Sequence, residues 1–328
     1  MSAGSTNVLP RPARRAALLG GLGLLGFTAG RALAARDAAV LWDAAERLAM
    51  RLDCHTPGGG LLPVSLPPRQ PGELRYQGTH ILTLGAFRAL AAAYDGPGDL
   101  HLRVWGGGCD DGIATVVQGS ADLGGLCCPV AQTQARHMPW LLVAHDIKAV
   151  VTHPDNPATA VEMDALRAVA RGQVTRWSVL GGDDRRIALV ARKHCPDYFE
   201  PVRGLLLNNR PDWAPQALYV DRDEQITDLV ARYPGALGLV SWVFAGPLVR
   251  AGRLKAMTVD GAPPTAAAVR AGRYPLHGPL SVVFRRWEAE RMRPFFDFLY
   301  GPAGAALMGQ WLLPVTPEEA DYPPSRWT

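Results

Sequence analysis

Val104-Trp105-Gly106-Gly107-Gly108-Cys109-Asp110-Asp111-Gly112-Ile113 reads as a short strand, a glycine-rich turn and the start of a helix reaching Gln118. Such a turn aims backbone N–H groups into a concavity at a helix N-terminus, which suits an anion. This turn also carries a thiol and two carboxylates. Eight residues past Ile113 the next strand begins, Ala121-Asp122-Leu123-Gly124-Gly125-Leu126, and it ends on Cys127-Cys128-Pro129. An anion-cradling backbone is therefore furnished with soft and acidic side chains.

The surrounding chain alternates strand and helix, the pattern of an α/β fold. Upstream, Tyr76 to Thr83 leads into a helix from Leu84 to Tyr94, and Leu100 to Trp105 is a strand. Downstream, Val130 to Met138 is predicted as a short helix, with strands at Trp140 to Ala144 and Lys148 to Thr152. His153-Pro154-Asp155-Asn156-Pro157 is a break and a candidate hinge. Helices are expected over Glu162 to Ala170, Asp197 to Leu207, Gln225 to Tyr233, Glu288 to Tyr300 and Ala303 to Trp311. Strands are expected over Arg185 to Ala191, Ala236 to Ser241, Leu254 to Val259 and Leu280 to Phe284.

The 328 residues suffice for one large or two ordinary domains. Arg14-Arg15 precedes an apolar run, Ala16 to Ala29, and Ala32-Leu33-Ala34 supplies an A-x-A cleavage signal. Residues 1–35 therefore read as a signal peptide, and the arginine pair permits the twin-arginine route. That segment holds four of the 34 basic residues and no acid. The chain beyond it has 30 basic against 30 acidic residues, so charge gives no case for nucleic acid. The expected location is the periplasm.

Five cysteines in an exported chain would ordinarily form a disulfide framework. Four of them (Cys109, Cys127, Cys128 and Cys195) instead fall at loop tips beside glycine or proline; a vicinal Cys127–Cys128 disulfide, or a pairing of either with Cys109 or Cys195, stays open as the alternative to free thiols. Cys54 stands apart, next to His55. No Cys-x-x-Cys motif, nucleophile–base spacing or nucleotide fingerprint accompanies them, so an enzyme is not expected.

Six segments, in order, resemble the phosphate-binding type of periplasmic solute-binding protein, the receptor of an ABC importer. Gly78-Thr79-His80 stands at that family's Gly-Ser/Thr turn. The stretch from Gly106 to Ile113 resembles its G-x-G-S-G-x-G-I loop, and Gly119 to Leu123 its G-x-x-D-I-A strand. Gly172-Gln173-Val174-Thr175-Arg176-Trp177-Ser178-Val179-Leu180-Gly181-Gly182 resembles G-x-I-T-N-W-x-x-L-G-G, the most specific match. Gly235 to Ser241, and Val259 to Thr265 with Tyr274-Pro275-Leu276, complete the series. The resemblance implies a type II periplasmic-binding-protein fold: two α/β lobes, 36–150 plus 240–328 and 151–239, about a hinged ligand cleft.

The departures lie in the ligand loops. Where the family has serine and threonine hydroxyls, this chain has Cys109 and Cys127-Cys128. Cys195 falls near the serine of a third loop, and His80 at a hydroxyl position. Gly78, Gly108, Asp110, Asp111 and Arg192 are the other residues at the aligned ligand loops, and His194, adjacent to Cys195, is an alternative to His80. Asp110 has a competing role as helix N-cap. Trp177 aligns with scaffold, and Trp105 borders the turn.

Thiols are weak hydrogen-bond donors and thiolates repel oxyanions, which disfavours phosphate. Cys109, Cys127, Cys128 and Cys195, with His80, suit a thiophilic metal or metalloid instead: copper, zinc or arsenite. The leading expectation is a monomeric receptor that passes a small ion to a membrane permease or sensor kinase. Two alternatives stand beside it: a phosphate or oxyanion receptor of an ABC importer, and a thiol redox or metal-cofactor enzyme on the same scaffold.

Overall fold

A computed structural model describes residues 64–97, 100–192, 201–208 and 212–323, all within one compact unit, Leu48–Thr328. Residues 1–35, read above as a signal peptide, lie outside the described residues, as do Cys54, His194 and Cys195.

The first strand, β1 (Glu73–Thr79), is buried along its whole length although its sequence, ELRYQGT, is far from an apolar run. It is central, with β2 (His101–Gly107) on one side and β3 (Leu123–Leu126) on the other, both parallel to it. Its charges are satisfied locally. Arg75 Nε lies 2.9 Å from Glu73 Oε2, and the same guanidinium donates to the carbonyls of Pro67 and Ser120. Helix α1 (residues 80–93) follows at once, with a wider π-type turn over Thr83–Phe87. Helix α2 (Cys109–Val117) connects β2 to β3.

The longest strand is β4 (Trp140–Thr152), one continuous element where two strands are predicted. Its first part pairs antiparallel with β11 (His277–Phe284), which in turn borders β3. Its second part pairs antiparallel with β8 (Ala236–Ser241). With β6 at Ala188–Arg192 and β7 at Leu218–Val220, β4 thus links two groups of strands in the order β2-β1-β3-β11-β4-β8-β6-β7, while the two-residue strands β5 (Ala160–Val161), β9 (Lys255–Ala256) and β10 (Thr258–Val259) lie off this path. His145-Asp146-Ile147 interrupts the apolar pattern but not the strand, because Asp146 is satisfied inside. Its Oδ1 accepts from Ser241 Oγ at 2.5 Å, and its Oδ2 lies 2.9 Å from Lys148 Nζ.

Beyond β4, β6 (Ala188–Arg192) lies parallel to both β8 and β7 (Leu218–Val220). Helices α3 (Met163–Ala170) and α4 (Pro201–Leu207) contribute Leu166, Val169, Val202 and Leu206 to a core that also holds Trp177. Trp177 is fully buried and its Nε1 donates to Gly235 O at 2.8 Å, the scaffold role expected of it. Helix α5 (Asp223–Arg232) precedes β8. Helix α6 (Trp242–Arg250) follows β8 directly and contains Pro247. Helix α7 (Ala266–Arg270) lies between β8 and β11 in sequence, and α8 (Ala289–Tyr300) and α9 (Pro302–Met308) follow β11.

Candidate functional site

Parallel β1, β2 and β3 end on one edge of the sheet, the edge at which α/β proteins generally hold ligands. Gly78 pairs with Gly106 on one side and with Gly125 on the other. His80, Gly108 and Cys127 therefore leave the sheet side by side.

The glycines bring helix and sheet unusually close. A Cβ on Gly112 would fall 2.9 Å from Gln77 O, and one on Gly124 would fall 2.5 Å from Gly112 O. Helix α2 consequently rests on bare backbone, and its first turn reaches the end of β3. Gly106 and Gly107 still belong to β2, so the turn is shorter than the sequence reading. Gly108 alone forms it and is the N-cap in extended conformation. Its N–H donates to Asp111 Oδ2 at 3.1 Å. The cap is thus Gly108 with Asp111 reaching back three residues, while Asp110 sits in the first turn, where the helix dipole favours a carboxylate. Both carboxylates are buried.

Cys109 opens α2 and is completely buried. Cys127 and Cys128 follow β3 immediately, the first half-buried and the second buried. The Sγ atoms of Cys109 and Cys127 lie 3.5 Å apart, far beyond the ~2.05 Å of a disulfide. Cys127 N–H donates to Cys109 Sγ at 3.2 Å. All three Sγ atoms lie within 4.8 Å of one another. Ile113, Leu126, Val130, Ala135 and Val283 enclose them, with Met138 at the margin.

Tyr76, a strand residue outside the ligand motifs, walls this cluster. It is fully buried and stacked on Phe87 at 3.8 Å. Burial pushes its hydroxyl well above the ordinary phenol range, and the sulfurs of Cys109 and Cys127 add to the rise. Its place could have been inferred only from Gly125, whose missing side chain makes room for the ring.

His80 is half-buried at the start of α1. Thr83 Oγ1 donates to the carbonyls of Gly78 and Thr79, fixing the turn between β1 and α1. Arg192 ends β6, in the other group of strands, and its Nη1 lies 2.7 Å from Asp223 Oδ2 with both side chains buried. Its charge is matched by that partner, which nothing in the sequence reading flagged. Trp105 carries the Arg75 guanidinium over its ring at 5.1 Å.

The chain is similar to known proteins in sequence and in fold. A family profile described as "PBP superfamily domain" matches residues 82–303. The Phosphate-binding protein PstS of Bacillus subtilis (strain 168) is 27% identical over 184 residues, 54% of this chain and 58% of that protein. The Phosphate-binding protein PstS of Borreliella burgdorferi is 20% identical over 168 residues, 49% and 60% respectively. The chain thus spans about three fifths of the length of the curated relatives it matches. Among solved structures, a putative phosphate ABC transporter substrate-binding protein with bound phosphate from Clostridium perfringens aligns with a TM-score of 0.64 at 19% identity, covering 74% of this chain and 100% of that one. An ABC-type phosphate transport receptor from Vibrio cholerae aligns at 0.57 and 24%, with the same coverage. The fold is that of the type II periplasmic binding proteins. Among the described residues no helix is long and apolar enough to cross a membrane.

Proposed function

The chain belongs to the PBP superfamily, and from that premise we propose that it is an exported receptor for a small solute of the oxyanion class, which it delivers to a membrane permease. Relatives named as phosphate-binding proteins support that class of ligand. The observation that carries the reading is the common edge formed by the ends of β1, β2 and β3. There the Gly78 turn, the first turn of α2 and the residues after β3 meet beside one another. On this reading residues 36–150 plus 240–328 and residues 151–239 form two lobes, and the solute lies between them. Arg192 would then face the ligand from the second lobe while paired with Asp223. Binding and release without turnover is the activity, so the protein is not an enzyme.

The test is a calorimetric titration of the full chain with phosphate, sulfate, arsenate and arsenite, each added separately. Saturable binding of one solute per chain is expected. No binding of any of the four would overturn the receptor reading.

A further inference from the structure

We propose that Cys109, Cys127 and Cys128 form a three-sulfur site that selects the trihydroxide of a trivalent metalloid, arsenite or its antimony counterpart, as the solute. The proposal rests on the receptor reading but takes a neutral metalloid oxyacid, in place of an oxyanion, as the ligand.

Geometry is the first argument. With every Sγ–Sγ separation no more than 4.8 Å, some point lies within about 2.8 Å (4.8/√3) of all three sulfurs. A bond of thiolate to a borderline ion is ~2.3 Å, so a contraction of about half an ångström per sulfur would close the site. Cys127 is half-buried and gives access, while Cys109 and Cys128 lie inside.

Charge is the second argument. Asp110 and Asp111 are buried in the same turn as Cys109. Three thiolates around zinc(II) leave one negative charge, and around copper(I) two, in a region that already buries those carboxylates. Three thiolates around arsenic(III) leave none. Because adding like charge to a buried, already acidic turn is costly, the neutral complex is favoured. The incoming solute, As(OH)₃, is also neutral near pH 7, so the carboxylates do not repel it as they would a phosphate dianion.

The chemistry balances without a redox partner. Three As–O bonds break and three As–S bonds form. Each thiol proton leaves on a displaced hydroxyl, giving three waters, and arsenic stays trivalent throughout. Thiolate ligands favour soft ions in this way over hard ones.

The experiment uses the full chain, reduced and desalted without oxygen, then exposed separately to sodium arsenite, phosphate, zinc(II) and copper(I). Reactive thiols are counted under denaturing conditions, and intact mass is recorded. The expected result is one arsenic per chain, three thiols protected, and a mass gain of one arsenic less three hydrogens. Cys127→Ser, at the half-buried position, and Cys128→Ser should each weaken arsenite binding by at least about 100-fold, since even outer-shell partners of a bound ion are worth about 10–100-fold. Circular dichroism melting shows that each variant is folded, and Cys54→Ser should still protect three thiols.

Saturable phosphate binding with no thiol protection by arsenite would overturn the metalloid site and leave the receptor standing. Three thiols protected by zinc or copper but not by arsenite would overturn the metalloid assignment. Arsenite held by fewer than these three cysteines, or a disulfide that blocks uptake even after reduction, would overturn it as well. No binding of any solute would remove the receptor reading itself.

Discussion

Gly78 and Gly125 face each other across β1 and β3, and neither has room for a side chain. A Cβ on Gly78 would lie 2.4 Å from Gly125 N, and one on Gly125 would lie 2.1 Å from the Tyr76 hydroxyl. These approaches let α2 and β3 bring Cys109 against Cys127, 18 positions away. Gly125→Ala must therefore displace a fully buried, stacked tyrosine. It should destabilise the protein by about 1–3 kcal/mol, the usual cost of overpacking, and it should also separate the thiols. Urea unfolding measures the first effect, and the rate of disulfide formation between Cys109 and Cys127 under mild oxidation measures the second. An unchanged midpoint with an unchanged rate would show that the close approach has no consequence.

Asp122 closes the other end of the same strands. Its Oδ2 accepts from the backbone N–H of Arg75 at 2.7 Å and from Arg69 at 2.9 Å, and its Oδ1 accepts from Arg291 of α8 at 3.0 Å. The carboxylate is buried while Arg69 and Arg291 are partly exposed. Asp122→Ala leaves the Arg75 amide without its acceptor and uncouples α8 from the sheet. Loss of one partner from a buried pair costs about 3–5 kcal/mol. Two arginines that can turn toward water put this case near the lower end, about 3 kcal/mol, read from the shift in the denaturant midpoint.

Much of this architecture is legible in the sequence, and the parts that are not have physical causes. β8 stands where it was predicted because Ala236 to Ser241 is a nearly continuous apolar run. β1 was hidden because its charges are paired inside rather than exposed. β4 was divided at His145-Asp146 because polar residues usually mark loops, whereas here Ser241 and Lys148 satisfy the carboxylate within the sheet. Helix α6 was missed because Gly246-Pro247 reads as a breaker. The proline falls inside the helix, and Ser241 caps the start by accepting from Val243 N–H at 3.2 Å. The candidate site was legible by residue type but not by contact. Cys109, Cys127 and Cys128 were singled out by position, yet their meeting depends on glycine packing that only the topology reveals. The contacts of Asp111 with the Gly108 N–H and of Arg192 with Asp223 have no signal in the sequence, because their partners are set by the cap and by the packing of β6 on α5.

The Arg192–Asp223 pair allows a double-mutant cycle. Asp223→Leu alone leaves a buried guanidinium without that carboxylate, and Arg192→Met alone leaves a buried carboxylate without that guanidinium; each should cost about 3–5 kcal/mol. Arg192→Met combined with Asp223→Leu removes both charges and their desolvation penalty together, so much of that loss should be recovered. Thermal and urea unfolding of the two single variants and the double variant measure the coupling. Strictly additive losses would show that the 2.7 Å contact contributes nothing to the fold.

His145 on β4 and His277 on β11 set a pH dependence. Their rings meet edge to face with centroids 5.3 Å apart. Burial lowers the pKa of both below the ordinary 6.5. For His145 the neighbouring His277 and Arg270 lower it further, and Glu319 opposes them. The unfolded chain therefore takes up protons on these imidazoles before the folded chain does. Their contribution to stability is present above about pH 6.5 and is lost as pH falls through the depressed folded values. Unfolding midpoints measured between about pH 7.5 and 5 should fall toward the acid end. His277→Phe removes one titrating group and the repulsion it exerts on the other, so it should flatten that decline. An equally steep decline in the variant would place the acid sensitivity elsewhere in the molecule.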